Sequence, residues 1–147
     1  MIDFKWYHFG DFSVHDLYKV LALRAEVFVV GQKIIYVDPD GEDFSALHCV
    51  GSLDGEPVAY LRLFPEPNQA NEIKFGRVLT KNSVRSLGYG KQLIQELMDY
   101  YANHLSHFTL KCSAQLYLQK FYESFGFKTC GDVYLEENIP HVLMRKA

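Results

Sequence analysis

The most distinctive chemistry of the chain sits in one short run, Arg85-Ser86-Leu87-Gly88-Tyr89-Gly90-Lys91. Two glycines let the backbone approach a ligand without interference from Cβ atoms, and the free N–H groups that open a following helix converge on negative charge with the helix dipole behind them. A phosphate or pyrophosphate suits such a turn, with Arg85 and Lys91 either adding charge or standing as solvated side chains. Two other glycine loops do not fit. The dinucleotide pattern G-x-G-x-x-G fails at Leu93, where its third glycine belongs. The phosphate loop G-x-x-x-x-G-K-[ST] fails because Gln92 follows Lys91 and Arg85 occupies the place of its first glycine. What remains is R-x-x-G-x-G.

Other side chains suit proton transfer. His48 and His141 are candidate bases, since imidazole titrates near neutrality, and Glu72, Asp38 and Asp43 are the acidic alternatives. Either histidine on a strand is equally a satisfied structural residue. The run Asp38-Pro39-Asp40-Gly41-Glu42-Asp43 would attract a cationic amine, but it lacks the residue order and the terminal Glu of a calcium loop. It reads as solvated loop carboxylates. Cys49, Cys112 and Cys130 are odd in number and too widely spaced for a metal knuckle, and none lies in a nucleophile motif. Free thiols in a reducing cytoplasm are expected, with no disulfide and no metal.

These residues need elements to hold them. Ile2, Phe4 and Trp6 alternate with polar neighbours as in a half-buried strand, and Ser13 with Asp16 caps a helix over about 14–29. Residues 31–45 carry no period and read as a loop. Strands at 47–52 and 57–64 join through Asp54-Gly55, and a fourth strand covers 73–80. A long amphipathic helix runs from Gly88 to His104 with Leu93, Ile94, Leu97 and Tyr101 on its apolar stripe. A strand at 108–112, a helix at 116–124 and two strands at 127–134 and 141–145 complete the chain. The glycine turn therefore falls at the carboxyl end of a strand that opens a parallel βαβ unit, where open α/β sheets bind ligands.

At 147 residues, 48% hydrophobic and 22% charged, the chain is one globular domain's worth. A net charge of −3 gives no basic footprint for nucleic acid. No apolar leader or spanning run is legible, so a cytoplasmic protein is expected rather than a secreted or membrane one.

The turn, placed between a strand and a long helix, resembles the Q/R-x-x-G-x-G/A pyrophosphate turn of the GNAT family of acyl-CoA-dependent N-acetyltransferases, through Arg85, Gly88 and Gly90. The order of elements agrees over nearly the whole chain. Phe121-Tyr122-Glu123-Ser124-Phe125-Gly126-Phe127 is similar to the family segment that places a Tyr four residues before Gly-Phe. Within the family the chain resembles the ElaA-like branch, through Leu23-Arg24, Val27-Phe28-Val29-Val30, Gln32, Tyr36, Asp40-Gly41, Asp43 and Ile139-Pro140-His141. Two positions depart: Gly31 stands where the branch tends to have Glu, which removes any acid role there, and Gln115 replaces an Asn that contacts the cofactor in many members.

The resemblance implies a single α/β domain over 1–147, with a mixed, mostly antiparallel sheet of about seven strands flanked by helices. It implies acetyl-CoA as cosubstrate, lying along Val78, Leu79 and Thr80, the turn from Arg85 to Lys91, and Gln115. It implies direct transfer to an amine, with Tyr122 as the acid that protonates the thiolate and Arg24, Phe28, Gln32 and Tyr36 on the acceptor side. Phe28 also continues the buried stripe of the first helix. The partners expected are acetyl-CoA and an amine acceptor, in a monomer or homodimer, without nucleic acid or membrane. A CoA-binding sensor without transfer and a nucleotide-binding domain of another kind are the competing readings.

Overall fold

The computed structural model describes residues 1–147. Strand β1 (Asp3–His8) pairs antiparallel with β2 (Leu47–Leu53), which turns through Asp54 and Gly55, both at positive φ, into β3 (Glu56–Phe64). Such a pair of left-handed residues matches the twist of a two-residue hairpin. β3 pairs antiparallel with β4 (Glu72–Thr80), and the register slips between Tyr60 and Arg62 opposite Arg77, whose φ of +52° marks a bulge.

Helix α1 (Val14–Arg24) starts where the Ser13 hydroxyl accepts from the Asp16 N–H at 3.1 Å. The sequence places its end near residue 29, whereas the α-helical turns stop at Arg24 and a wider π-helical turn carries Ala25–Gly31. A Cβ on its closing residue, Gly31, would stand 3.0 Å from the Glu26 carbonyl oxygen, a tight contact that a larger residue would relieve by a small shift of the turn.

After β4, α2 (Tyr89–His104) crosses to β5 (Thr109–Gln115), parallel to β4. β5 outruns the expected end at Cys112 because β7 (Ile139–Lys146) pairs with it as far as Gln115 opposite His141. The expected helix at 116–124 is a tight turn at Leu116–Leu118 followed by the short α3 (Gln119–Glu123). β6 (Lys128–Glu136) and β7 form a hairpin around Glu137 and Asn138, again both at positive φ. The sheet order is β1-β2-β3-β4-β5-β7-β6.

Side-chain alternation gives the sheet two covered faces. Cys49, Ala59 and Leu61 pack with Leu93, Ile94 and Leu97 of α2, while Val50, Tyr60 and Leu79 face Val20, Leu23 and Val27 from α1 and its π turn. One pairing decides the function. β4 and β5 meet only from Glu72 to Lys74 opposite Thr109–Lys111, and beyond that point they diverge.

Candidate active site

Where β4 and β5 part, a cleft of about 620 Å³ opens between them. From Phe75 onward the β5-facing edge of β4 has no strand partner, so backbone groups of Gly76 to Thr80 line the cleft unpaired on that side. Val78, Leu79, Thr80, Arg85, Gly90 and Gln115 from the sequence reading all line it. Ser86, Leu87, Gly88 and Lys91 are exposed in the turn at its mouth, whereas the side chain of Tyr89, the first residue of α2, packs against the core.

The turn is built for close approach. Gly88 has a φ of +84°, the left-handed conformation glycine adopts without strain. Gly90 has no such need. A Cβ there would meet only Thr80 Cγ2 at 3.8 Å, an ordinary contact, and glycine in a helix is about 1 kcal/mol worse than alanine. Nothing inside the protein requires a glycine at 90, and its lack of a side chain leaves open space beside the helix start. The first N–H groups of α2 are free there, since the α-helical bonding begins with the Gln92 N–H to the Gly88 carbonyl.

Tyr122 lies on α3 with its ring against Phe75 and Phe127, and it is 3% exposed, on the cleft wall. Burial raises its phenol well above the usual range, so it stays protonated at neutral pH. Cys112 lines the same wall, and burial pushes its thiol up to about 12, so no thiolate nucleophile forms there.

The two histidines separate. His141 is in the cleft: Nδ1 donates to the Ile139 carbonyl at 2.6 Å, which leaves the Nε2 lone pair 3.3 Å from Glu136 Oε2. Glu136 also accepts from Ser113 Oγ, which bonds the Tyr134 hydroxyl, and the Tyr134 ring stacks near His141. His48 is not in the cleft. It is 1% exposed, its Nε2–H donates to the Asp43 carbonyl at 2.9 Å, and Nδ1 accepts from the Tyr60 hydroxyl at 2.5 Å. Burial lowers its pKa, and both ring nitrogens are occupied, so the expectation of a base at His48 is withdrawn. Glu72 is withdrawn as well. It sits at the closed end of the strand pair, held by Asn68, Arg145 and Lys111, with a pKa lowered to about 2 by those hydrogen bonds.

The acidic loop is the largest correction. Asp38 and Asp43 are buried, not solvated. Arg24 Nε donates to Asp38 at 2.8 Å and its Nη1 to Asp43 at 2.8 Å; Arg62 binds Asp40 and Asp43; Arg77 Nε reaches Asp38 at 2.9 Å. Burial opposes the charge on Asp43, but hydrogen bonds from Arg24 and Arg62 outweigh it and hold its pKa below the usual carboxylate range. Arg24 is therefore 1% exposed in this cluster and does not line the acceptor side, unlike Phe28, Gln32 and Tyr36. Asp38 and Asp43 are equally unavailable as bases. The cluster straps the loop to the β4 bulge: Asp38 also accepts from the Tyr36 hydroxyl at 3.1 Å, and the Arg77 guanidinium lies over the Tyr36 ring.

Residues 42–147 match the family model for the acetyltransferase (GNAT) domain. Protein ElaA of Escherichia coli is 35% identical over 99% of this chain and 97% of its own. The chain belongs to the GNAT acetyltransferase family. Its structure superposes on the crystal structure of Escherichia coli ElaA with a TM-score of 0.93 at 34% identity, covering all of both chains. An acyl-CoA N-acyltransferase from Pseudomonas aeruginosa is equally similar, at TM-score 0.93 and 36% identity over all of both chains. An aminoglycoside 6'-N-acetyltransferase complexed with coenzyme A shares the fold at TM-score 0.70 and 16% identity, over 97% of this chain and 96% of that one. As a GNAT protein of the ElaA-like branch, the chain is an acyl-CoA-dependent acetyltransferase.

The GNAT cleft also contains residues that sequence reasoning missed. Gly76, Arg77, Ser113, Glu136 and Ile34 line it. Glu136 lies outside the strands legible in sequence at 127–134 and 141–145, yet the longer hairpin, which pairs Glu136 with Ile139, brings it back onto His141. Arg77 carried none, because a bulge is invisible in a β-branched run.

Proposed function

We propose that residues 1–147 act as one unit that moves an acetyl group from acetyl-CoA directly to a primary amine of a small molecule or protein. The observation that carries this reading is the opening of the sheet, which gathers a free β4 edge, the approach at Gly90 and the Tyr122 phenol into one cleft. Residues 1–41 belong to the unit because Phe28, Gln32, Ile34 and Tyr36 form part of the cleft wall. Free thiols at Cys49, Cys112 and Cys130 favour a reducing, cytoplasmic setting.

Acetyl-CoA supplies a thioester whose carbonyl carbon an amine can attack. On this reading the β4 edge at Val78–Thr80 hydrogen-bonds the pantetheine arm, Gln115 faces it from β5, and the helix start with Arg85 to Lys91 takes the pyrophosphate. The N–H of Val78 or Leu79 faces the carbonyl oxygen, a kind of donor worth about 2.7–4 kcal/mol of barrier. His141 Nε2 receives the proton of the amine, with Glu136 beside the imidazolium and the Ile139 carbonyl fixing the tautomer. Tyr122 gives a proton to the departing thiolate. Burial keeps that phenol protonated in the cleft wall, so the proton is in place when the thiolate departs.

The test is a thermal-shift titration with acetyl-CoA, CoA, ATP and NAD beside an assay of amine-dependent thiol release. Stabilisation by the two CoA species alone, with thiol release, is expected. Tyr122→Phe should lower kcat by about 10²–10⁴ while acetyl-CoA still stabilises the protein. Wild-type turnover in that variant would remove Tyr122 from the proton path, and no shift with either CoA species in folded protein would overturn the reading.

A further inference from the structure

We propose that the acceptor is a small linear alkyl amine carrying a second cationic group and no carboxylate or phosphate. The inference rests on the acyl-transfer reading and names the substrate class of that same cleft. It starts from the cations. Arg77 is the arginine of the acceptor half, and its charge is already matched: Nε donates to Asp38 Oδ1 at 2.9 Å, Nη2 to the Asp38 carbonyl at 3.1 Å and to Asp40 at 3.4 Å, and one face lies over Tyr36, which leaves Nη1 without a partner but no unbalanced charge. The surrounding cluster is closed in charge, with Arg24, Arg62 and Arg77 against Asp38, Asp40 and Asp43. Arg85, the other arginine on the cleft, stands at the glycine turn and leans on the Thr80 carbonyl. Lys33 points elsewhere, because Gln32, Ile34 and Tyr36 line the cleft while Lys33, Ile35 and Val37 between them are exposed. An anionic acceptor would find in that half only an arginine whose charge the aspartates already balance.

The opposite wall is acidic. Glu136 and Glu137 come from the tip of the β6–β7 hairpin; Glu136 lies 3.3 Å from His141 Nε2 and accepts from Ser113 Oγ, while no ion pair holds Glu137. Between the walls, Phe28, Ile34 and Ile139 offer apolar contact to a carbon chain. An ammonium delivered to His141 can thus lay its methylenes on apolar surface and set a second cation against Glu137. A carboxylate in the same place would face two glutamates across a cleft whose only nearby arginine is already neutralised. The volume, about 620 Å³ shared with the pantetheine arm, suits a short unbranched chain.

Three amines of similar length separate the possibilities: 1,5-diaminopentane, 1-aminopentane and 6-aminohexanoate, each assayed for thiol release from acetyl-CoA by the full chain. The expected order of kcat/KM is diamine, monoamine, amino acid, with about tenfold or more between the ends, a factor worth 1.4 kcal/mol. In Glu137→Gln the ratio of diamine to monoamine should shrink several-fold, and added salt should shrink it in wild type, since the contact is near solvent. Equal rates for the three, a preference for the amino acid, or an unchanged ratio in Glu137→Gln would overturn the inference. Stabilisation by acetyl-CoA with thiol release from none of them would overturn it too, and would leave the cofactor reading standing. Absence of that stabilisation would instead sink the cofactor reading on which it rests.

Discussion

The two halves of the cleft are made in opposite ways. The half proposed for the cofactor is nearly continuous in sequence, from Gly76 through the turn to Gly90, and it offers backbone groups that a bulge, a splayed strand and a helix start leave unpaired. The acceptor half is assembled from the π turn and loop at residues 27–36, from Arg77, from Ser113 and from the hairpin at 136–141, and a buried ion cluster holds its loop in place. Backbone chemistry tolerates change in side chains, so one cofactor can be kept across a wide family. A wall that depends on matched buried charges can be re-specified as a unit without touching that backbone.

If the halves are separable in this way, Asp38→Asn should change the protein most. It leaves Arg24 and Arg77 without a carboxylate they both contact, and removing one partner of a buried ion pair costs about 3–5 kcal/mol. Urea unfolding measures the loss, and the shift in stability on adding acetyl-CoA should persist in the molecules that stay folded. Loss of that shift as well would mean that the cluster also shapes the cofactor half.

Gly90→Ala makes the converse cut. The melting temperature should not fall, because the new Cβ meets only Thr80 Cγ2 at an ordinary distance. Affinity for CoA, read by calorimetric titration, should drop by about ten- to a hundredfold, roughly 1.4–2.8 kcal/mol. Unchanged affinity would show that no ligand approaches there.

A finer comparison probes the joint between the halves. Arg77→Gly and Arg77→Ala both abolish the contacts with Asp38, but alanine must also hold a φ of +52°, at about 1–2 kcal/mol. Arg77→Gly should therefore be the more stable of the two by about that amount in denaturant unfolding. Equal stability would mean that the bulge relaxes once the arginine is gone.

The gentlest change comes from pH. His48 has its pKa depressed by burial, so the unfolded chain binds a proton that the folded chain refuses. Stability is full above about pH 6.5 and falls as pH drops below it, by at most about 1.4 kcal/mol per pH unit for one group. A second loss follows below the usual 4.5 of a Glu side chain as Glu72 titrates toward about 2. Urea unfolding at pH 8, 6 and 5 tests the first step, and a flat profile over that range would mean that His48 titrates as it does in the unfolded chain.

Much of this was legible beforehand, for local reasons. The R-x-x-G-x-G turn, the capped first helix, the Asp54-Gly55 hairpin and the placing of Tyr122 four residues before Gly126-Phe127 are short-range patterns whose physics is contained in a few residues. The acidic loop misled because partners 14 to 39 residues away neutralise it: Arg24, Arg62 and Arg77 are ordinary surface-type residues until the fold brings them together. His48 and His141 looked alike in sequence, and only their neighbours distinguish them. One is pinned by Tyr60 and Asp43 beneath the loop, and the other faces a cleft beside Glu136.

The sequence by itself determined the order of strands and helices, the glycine turn and the family, because period, caps and turn residues act over a few positions of chain. Tertiary structure alone decided where β4 and β5 part, which histidine reaches the cleft, and which carboxylates are free to meet a substrate. Those outcomes depend on pairing register and on desolvation, and both are set by residues far apart in the chain that meet only once the sheet has formed.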